Sequence, residues 1–317
     1  MTLAVVLIGR NEGARLKASL ASLSGQRIVY VDSGSTDMSV AAAREAGAAV
    51  VELDPATPFT AARARHAGFQ ALGPVPPEFV QFFDGDCIVV PGWIEAGRAA
   101  LQENPRLGLV TGWRSEIHPE ASIYNALCDH EWRRPAGEIT ACGGDMMVRS
   151  VAYTQAGGFD GQVIAAEDDE FCQRLRKAGW GLRRLPVPMT RHDAAMMRFG
   201  QWWRRAVRSG HGFAQVGDLH ARYFARERAR VWVYALVLPL LALAGLAWTP
   251  LLVLVLAAYL MSYLKTVQGL RGDGLASGTA LHHAAFLTLS KFPNLIGMLT
   301  YYARKRRGAA MRIIEYK

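Results

Sequence analysis

Phe79-Val80-Gln81-Phe82-Phe83-Asp84-Gly85-Asp86 is the stretch that decides the fold. Five mostly apolar residues make a run of buried-strand length, and two carboxylates separated by one glycine follow it directly. Working outward, Leu3–Ile8, Ile28–Val31, Ala49–Leu53 and Leu107–Thr111 are further continuous apolar runs, as expected of a sheet covered on both faces. Helical patterns separate them at Gly13–Leu23, Asp37–Ala46, Ala61–Leu72 and Gly92–Asn104. This alternation predicts an α/β doubly wound mixed or parallel sheet. In such sheets ligands sit outside the carboxyl ends of the strands. Arg10-Asn11-Glu12, Asp32-Ser33-Gly34-Ser35 and Asp84-Gly85-Asp86 all fall there, so three loops converge on one crevice.

The chain has 317 residues, a formal net charge of +9 and 51% hydrophobic residues, enough length and apolar content for a full core. Its four cysteines, Cys87, Cys128, Cys142 and Cys172, form no Cys-x-x-Cys pair, which points away from a disulfide scaffold or cysteine zinc site and toward a reducing compartment. Leu3–Ile8 has no basic segment before it and a charged one after it, unlike a secretory signal. The chain contains no Gly-x-x-x-x-Gly-Lys phosphate loop, Gly-x-Ser-x-Gly elbow or His-Glu-x-x-His site, so ATPase, serine hydrolase and zinc protease readings lose their usual support.

Composition changes near residue 229. We expect a catalytic domain over 1–228 and a helical membrane region over 229–317. Residues 231–248 and 251–264 carry no charge and predict a helical hairpin. Arg226, Arg228 and Arg230 precede it and Lys265 and Arg271 follow it, which predicts cytoplasmic outer ends. Residues 284–302, interrupted by Lys291, Pro293 and Asn294 and followed by Arg304-Lys305-Arg306-Arg307, suit an interfacial or re-entrant helix. A buried hairpin of a soluble helical domain is the alternative.

Several clusters carry chemistry, each with a plainer explanation beside it. Asp84 and Asp86 suit a hard divalent cation bridging a diphosphate, against a solvated turn. In Asp32–Asp37, Ser35 or Thr36 caps the following helix, whereas Asp32 before the turn faces the crevice. Glu167-Asp168-Asp169-Glu170 either complements a helix dipole or, by mutual repulsion, raises one pKa toward that of a general base. His192 is a metal or phosphate ligand or a structural histidine. Phe199–Arg205, with Arg208 and His211, interleaves aromatics with arginines, which suits lipid headgroups before a membrane hairpin better than nucleic acid.

As a set, these residues resemble the family 2 inverting glycosyltransferases of the GT-A fold, over roughly residues 3–208. The parts come in that family's order: Gly9-Arg10-Asn11-Glu12, Val31–Asp37, Ala64-Arg65-His66-Ala67-Gly68, Asp84-Gly85-Asp86, Gly143-Gly144-Asp145-Met146 with Gly157-Gly158-Phe159-Asp160, and Glu167–Glu170. The resemblance implies that Arg10, Glu12 and Asp32 hold the base and ribose of a nucleotide-sugar donor. Arg65 then lies near the base or diphosphate, and Asp84 near the ribose or sugar. Asp86, with His192 as a further candidate, holds Mg²⁺ or Mn²⁺. Gly143, Gly144, Asp145 and Glu167 line the donor and acceptor pocket, and Asp168 is the base. Ser33 stands where the family often has a second acid. Gln201-Trp202-Trp203-Arg204-Arg205 is similar to the Gln-x-x-Arg-Trp motif of processive synthases, with Arg205 in place of Trp. Gln201, Arg204 and Arg205 then border the acceptor; with Arg205 in place of Trp and too few spans for a polymer channel, we expect a non-processive enzyme in a bacterial-type inner membrane. Its catalytic part faces the cytoplasm, and its acceptor is a lipid-linked or surface-glycan hydroxyl. The alternatives are a polyprenyl-phosphate glycosyltransferase and an inactive nucleotide-sugar-binding membrane scaffold.

Overall fold

In the computed structural model, which describes residues 2–315, the strands β1 (Leu3–Gly9), β2 (Ile28–Asp32), β3 (Ala49–Glu52) and β4 (Phe79–Asp84) follow the apolar runs closely. Between them lie α1 (Ala14–Ser22), α2 (Ser39–Glu45) and α3 (Ala61–Gln70). Then come β5 (Cys87–Val89), α4 (Trp93–Glu103), β6 (Leu107–Glu116), α5 (Ile123–Trp132), β7 (Gly137–Glu138), β8 (Met146–Arg149), α6 (Ser150–Gln155), α7 (Glu167–Lys177) and β9 (Gly181–His192).

The sheet is mixed, in the order β3-β2-β1-β4-β8-β6-β9-β5, with β7 on β9. β3, β2, β1 and β4 run parallel, β8 is antiparallel to both neighbours, and β6 pairs with β9 in parallel. Pleating sends Val6, Val31 and Phe82 to one core and Val5, Leu7 and Phe83 to the other, which is why these strands read as unbroken apolar runs. β3 is the exception: at the sheet edge its residues are exposed or half-buried. β5 and β8 are mostly apolar but only three and four residues long, and β7 and β9 have no such signature. β9 carries Arg183, Arg184, Pro186 and Pro188 within its length and tolerates them through register shifts against β6.

α3 seats closely on β1 because residue 68 is glycine. A Cβ there would lie 2.3 Å from Val6 Cγ1. One turn earlier, the same helix buries Arg65 in the site described below.

The chain divides into two compact units, the first running to Met197 and taking in Met311–Ile313, the second formed mainly by Arg198–Ala310. The division falls earlier than the boundary expected at residue 228, so α8 (Phe199–Leu219) belongs with the later helices. These are α9 (Ala225–Trp232), a π-helical turn at Val233–Val237, α10 (Leu238–Gly245), α11 (Thr249–Gly272), α12 (Ser277–Leu289) and α13 (Lys291–Arg306). Two continuous helical stretches are long and apolar enough to cross a membrane, Ala225–Gly245 with mean hydropathy 1.4 and Thr249–Gly272 with 1.7. Both extend beyond the uncharged windows, the first at its start through Arg226–Arg230, the second at its end through Lys265 and Arg271. Leu240, Leu243, Leu246, Val253 and Leu254 are all more than half exposed, which argues against a hairpin buried in a soluble domain.

The third apolar stretch is two helices rather than one, divided at Ser290. In α13, Pro293, Asn294, Gly297, Met298 and Tyr301 are buried at helical spacing against α8. The crossing is tight because both helices are glycine where they touch. A Cβ on Gly297 would lie 1.9 Å from the Val207 carbonyl oxygen, and one on Gly210 2.0 Å from that of Asn294. Gly297→Val is therefore expected to lower stability by about 1–3 kcal/mol, seen as a fall in the thermal unfolding midpoint. Gly278→Val, which meets open space, serves as the control.

Candidate active site

Asp84 ends β4, and Gly85 and Asp86 make the turn into β5. The Gly85 N–H donates to the Ile8 carbonyl at 2.7 Å, and a Cβ at Gly85 would lie 3.1 Å from that oxygen. The turn is thus pinned to the end of β1, with a carboxylate on either side.

Asp84 meets Arg65, whose Nη2 donates to its Oδ1 at 2.6 Å while Nη1 donates to Glu167 Oε1 at 2.7 Å. Burial pushes the Asp84 carboxyl upward, but Arg65 and Arg114 outweigh it and hold it below the usual range. Gly144 is the reason Arg65 fits, because a Cβ there would lie 2.0 Å from Arg65 Nη2.

Asp86 is buried and its Oδ1 lies 3.1 Å from His192 Nε2. The antiparallel register of β5 and β9, which sets Cys87 opposite His192, brings them together. The His192 ring packs edge-on against Trp132 at 4.7 Å, and its buried Nδ1 has no hydrogen-bond partner among the described residues. Asp84, Asp86, Cys87 and His192 offer ligand atoms within 4.8 Å of one another, an Asp-rich potential metal site. Burial and Asp145 push the Cys87 thiol well up, and its sulfur lies 3.4 Å from Asp145 Oδ2, so it acts as a thiol donor toward that carboxylate. Two carboxylates and an imidazole remain, a donor set that fits Mn²⁺ or Mg²⁺. Charge points the same way, since among the described residues the acids Asp84, Asp86, Asp145, Glu167 and Asp168 outnumber the arginines beside them, Arg65 and Arg114.

The four acids of α7 separate. Glu167 pairs with Arg65, and Glu170 is forked by Arg174 at 2.6 Å. Asp168 forms no ion pair within salt-bridge distance among the described residues; one oxygen accepts the Asp169 N–H at 2.9 Å, and the other lies 3.8 Å from where a Gly143 Cβ would stand. Burial first, then Glu167 and Asp169, push its carboxyl well above the ordinary range. Ala166, just before the helix, holds the left-handed conformation at φ 55°, a strained position for a residue with a Cβ.

Sequence reasoning assigned Ser35 or Thr36 to cap α2, but the structure places Met38 at that cap, with Asp37 Oδ1 accepting the Ser39 N–H. Ser35 and Thr36 instead knit two loops together: the Asn11 N–H donates to Ser35 Oγ at 2.9 Å, and the Thr36 N–H to Asn11 Oδ1 at 2.8 Å. Asp32 is buried, and its carboxylate accepts the Gly34 and Ser35 N–H groups and the Tyr30 and Ser35 hydroxyls. Glu12 pairs with Arg15 at 2.9 Å. Exposed Arg10 lies 5.7 Å from the Phe59 ring centroid.

The first unit therefore gathers Arg65, Asp84, Asp86, Asp145, Glu167 and His192, with Gly143, Gly144 and Asp168 alongside. Arg10, Glu12 and Asp32 lie at the adjoining ends of β1 and β2. Gln201, Arg204 and Arg205 lie on α8 in the second unit, where Gln201 Oε1 accepts the Arg198 N–H at 3.0 Å across the first turn. Sequence reasoning passed over Phe59, Arg114, Trp132 and Thr190. Only long-range pairing brings the last three to the acids.

A mixed sheet with this acidic strand-end turn defines a GT-A-type transferase fold. Residues 4–154 match the model of the glycosyl transferase family 2. The pre-mycofactocin glycosyltransferase of Mycobacterium tuberculosis is 28% identical over 205 residues, covering 60% of this chain and 42% of that protein. The chain thus spans under half the length of this curated relative. Among solved structures, the mannosyltransferase PcManGT from Pyrobaculum calidifontis, in complex with GDP-Man and Mn²⁺, superposes with a TM-score of 0.56 at 18% identity, over 92% of this chain and 86% of that one. S. aureus TarS 1-349 in complex with UDP-GlcNAc gives 0.53 at 15%, over 100% and 97%. At such identities the likeness shows the fold alone.

Proposed function

We propose that the protein is a membrane-bound inverting glycosyltransferase that moves one sugar from a nucleotide-diphosphate sugar to a hydroxyl of a lipid-linked or surface-glycan acceptor. The observation that carries this reading is Asp168. Its raised carboxyl forms no ion pair among the described residues and stands beside the Gly143–Gly144 loop, next to the Arg65–Asp84–Asp86–His192 constellation. A carboxylate tuned upward is suited to take a proton near neutral pH. Asp168 accepts the acceptor's hydroxyl proton. The freed oxygen attacks the anomeric carbon as the bond from that carbon to the diphosphate oxygen breaks, and the nucleoside diphosphate leaves with the electron pair. One base and one displacement give inversion.

Asp86 and His192 are the cation's ligands in this reading, with Asp84 beside them. A bound Mn²⁺ or Mg²⁺ held there would supply charge neutralisation for the leaving diphosphate. Gly143, Gly144, Asp145 and Glu167 bound the sugar. Arg10 and Phe59 border the base together with Glu12 and the turn that Asp32 supports. Arg65 holds Asp84 and Glu167 in place while remaining next to Asp168. The GDP-Man and UDP-GlcNAc bound by the two structural neighbours support a nucleotide-sugar donor and leave its base open.

Membrane attachment rests on the two exposed apolar helices. Arginines precede the pair and Lys265 and Arg271 end it, while the turn between them has no charge. That asymmetry supports the reading in which both outer ends lie on the cytoplasmic side, in a bacterial-type inner membrane. Gln201, Arg204 and Arg205, just before the first span, are assigned to the acceptor.

Thermal unfolding of the detergent-purified full chain tests the reading, with UDP, GDP, dTDP, ADP and CMP, each with and without Mn²⁺ or Mg²⁺. A ligand at a hundred times its Kd stabilises by about 2.7 kcal/mol. One diphosphate is expected to stabilise only with the metal, and to lose that effect in Asp86→Ala. If a folded wild-type protein responds to none, a scaffold that only anchors partners replaces this reading.

A further inference from the structure

Arg114 is a buried cation that the site's assigned roles leave unused. It stands on β6 just past a pair of register shifts, between Thr111 and Trp113 and between Trp113 and Arg114. Irregularities of this kind re-aim a side chain, and here Trp113 is exposed while the Arg114 side chain is only 15% accessible.

The guanidinium is held on one edge and one face. Nε and Nη2 lie 3.0 and 2.7 Å from Asp145 Oδ2. The Cζ atom sits 5.3 Å from the Trp132 ring centroid, and Trp132 in turn packs on His192. Asp145 is well supplied with donors besides Arg114, since Thr190 Oγ1 donates to it at 2.7 Å and the Cys87 thiol lies against it.

The remaining edge is unspent. Nη2 is buried without an aligned hydrogen bond and lies 3.6 Å from Asp84 Oδ2, and the one Arg114 hydrogen bond among the described residues is that of Nε to Asp145. Asp84 does not need Arg114 as its main partner, because its other oxygen already accepts from Arg65 at 2.6 Å. Spare donors on a mostly buried guanidinium are costly unless an acceptor arrives. Lying beside the Asp84–Asp86 turn, they suit a phosphoryl group, whose oxygens match the planar fork of arginine better than the point charge of lysine.

We propose that Arg114 contacts the diphosphate of the bound nucleotide, giving Nη1 and the free side of Nη2 to phosphoryl oxygens while Nε and Nη2 stay anchored on Asp145. This rests on the nucleotide-sugar reading above. Arg114 then acts on the leaving group, and Trp132 fixes both Arg114 and His192.

Isothermal titration of the detergent-purified full chain with Mn²⁺ tests it, using UDP and GDP as probes against UMP and GMP. Losing one charge-assisted contact is expected to weaken the preferred diphosphate about ten- to a hundredfold in Arg114→Gln. The matching monophosphate should change less than about threefold, and Arg114→Lys should fall between wild type and Arg114→Gln. If Arg114→Gln does not fold, Arg114→Lys, which keeps a charge on Asp145, carries the comparison. Unchanged diphosphate affinity, or equal losses for diphosphate and monophosphate, overturns the assignment and leaves the proposed function standing. A folded wild-type protein that binds none of UDP, GDP, dTDP and ADP overturns both.

Discussion

Asp168→Asn is expected to abolish sugar transfer, lowering kcat by roughly a thousandfold, while leaving metal-dependent binding of the nucleoside diphosphate within about threefold of wild type. The amide keeps the size and the Asp169 contact but cannot accept the proton. The same substitution should make the protein more stable at neutral pH. An acid whose folded pKa lies above its unfolded value binds more protons folded than unfolded, so it costs stability as pH rises through that interval. Burial, Glu167 and Asp169 raise Asp168, and the amide escapes that cost. In the wild type, kcat/KM should rise with pH through the raised carboxyl pKa. Unfolding midpoints and pH–rate profiles check both halves. Normal turnover in Asp168→Asn would remove the base and favour a phosphate acceptor, which needs none.

The largest stability effect should come from Arg65→Ala. The side chain is 2% exposed and holds Asp84 and Glu167 at 2.6 and 2.7 Å. Removing one partner of a buried ion pair leaves uncompensated charge and costs about 3–5 kcal/mol. Asp84 keeps some solvent contact, which points to the lower end. Glu167→Gln, which retains an acceptor for the guanidinium, should cost much less. Because Asp84 is held below the usual carboxyl range, its share of the stability is present above the unfolded pKa and is lost as pH falls through the lowered one. Wild type and Arg65→Ala should therefore converge in acid, below about pH 4, and separate toward neutral pH in denaturant titrations.

What was legible in the sequence follows from what forms locally. β1, β2 and β4 are buried on both faces, so hydrophobicity alone marks them, and the loops at their carboxyl ends come with them. Gly68 and Gly144 were visible as motif residues, but the reason for each is a close approach to Val6 and to Arg65 that no local pattern records. β9 was hidden because Arg183, Arg184, Pro186 and Pro188 break both apolar continuity and strand propensity, and pairing with β6 overrides that preference. His192 was a lone histidine until the register with β5 set it on Asp86. Arg114 was less visible still, because its direction depends on an irregularity in β6. In the second unit, the stretch over 284–302 looked like one interrupted helix. The break at Ser290 lets α13 lay a glycine face against α8, a tertiary contact rather than a local preference.

The most direct measurement is proton NMR of the anomeric centre during turnover. The wild-type full chain is given Mn²⁺ and an α-linked nucleotide sugar carrying the base that stabilises it, and the first-formed glycosidic product is read before any mutarotation. A β-configured product, absent in Asp168→Asn and in Asp86→Ala, is the predicted result. An α-configured product, or turnover that persists in both variants, would contradict a single-displacement transfer by Asp168 at a cation site held by Asp86.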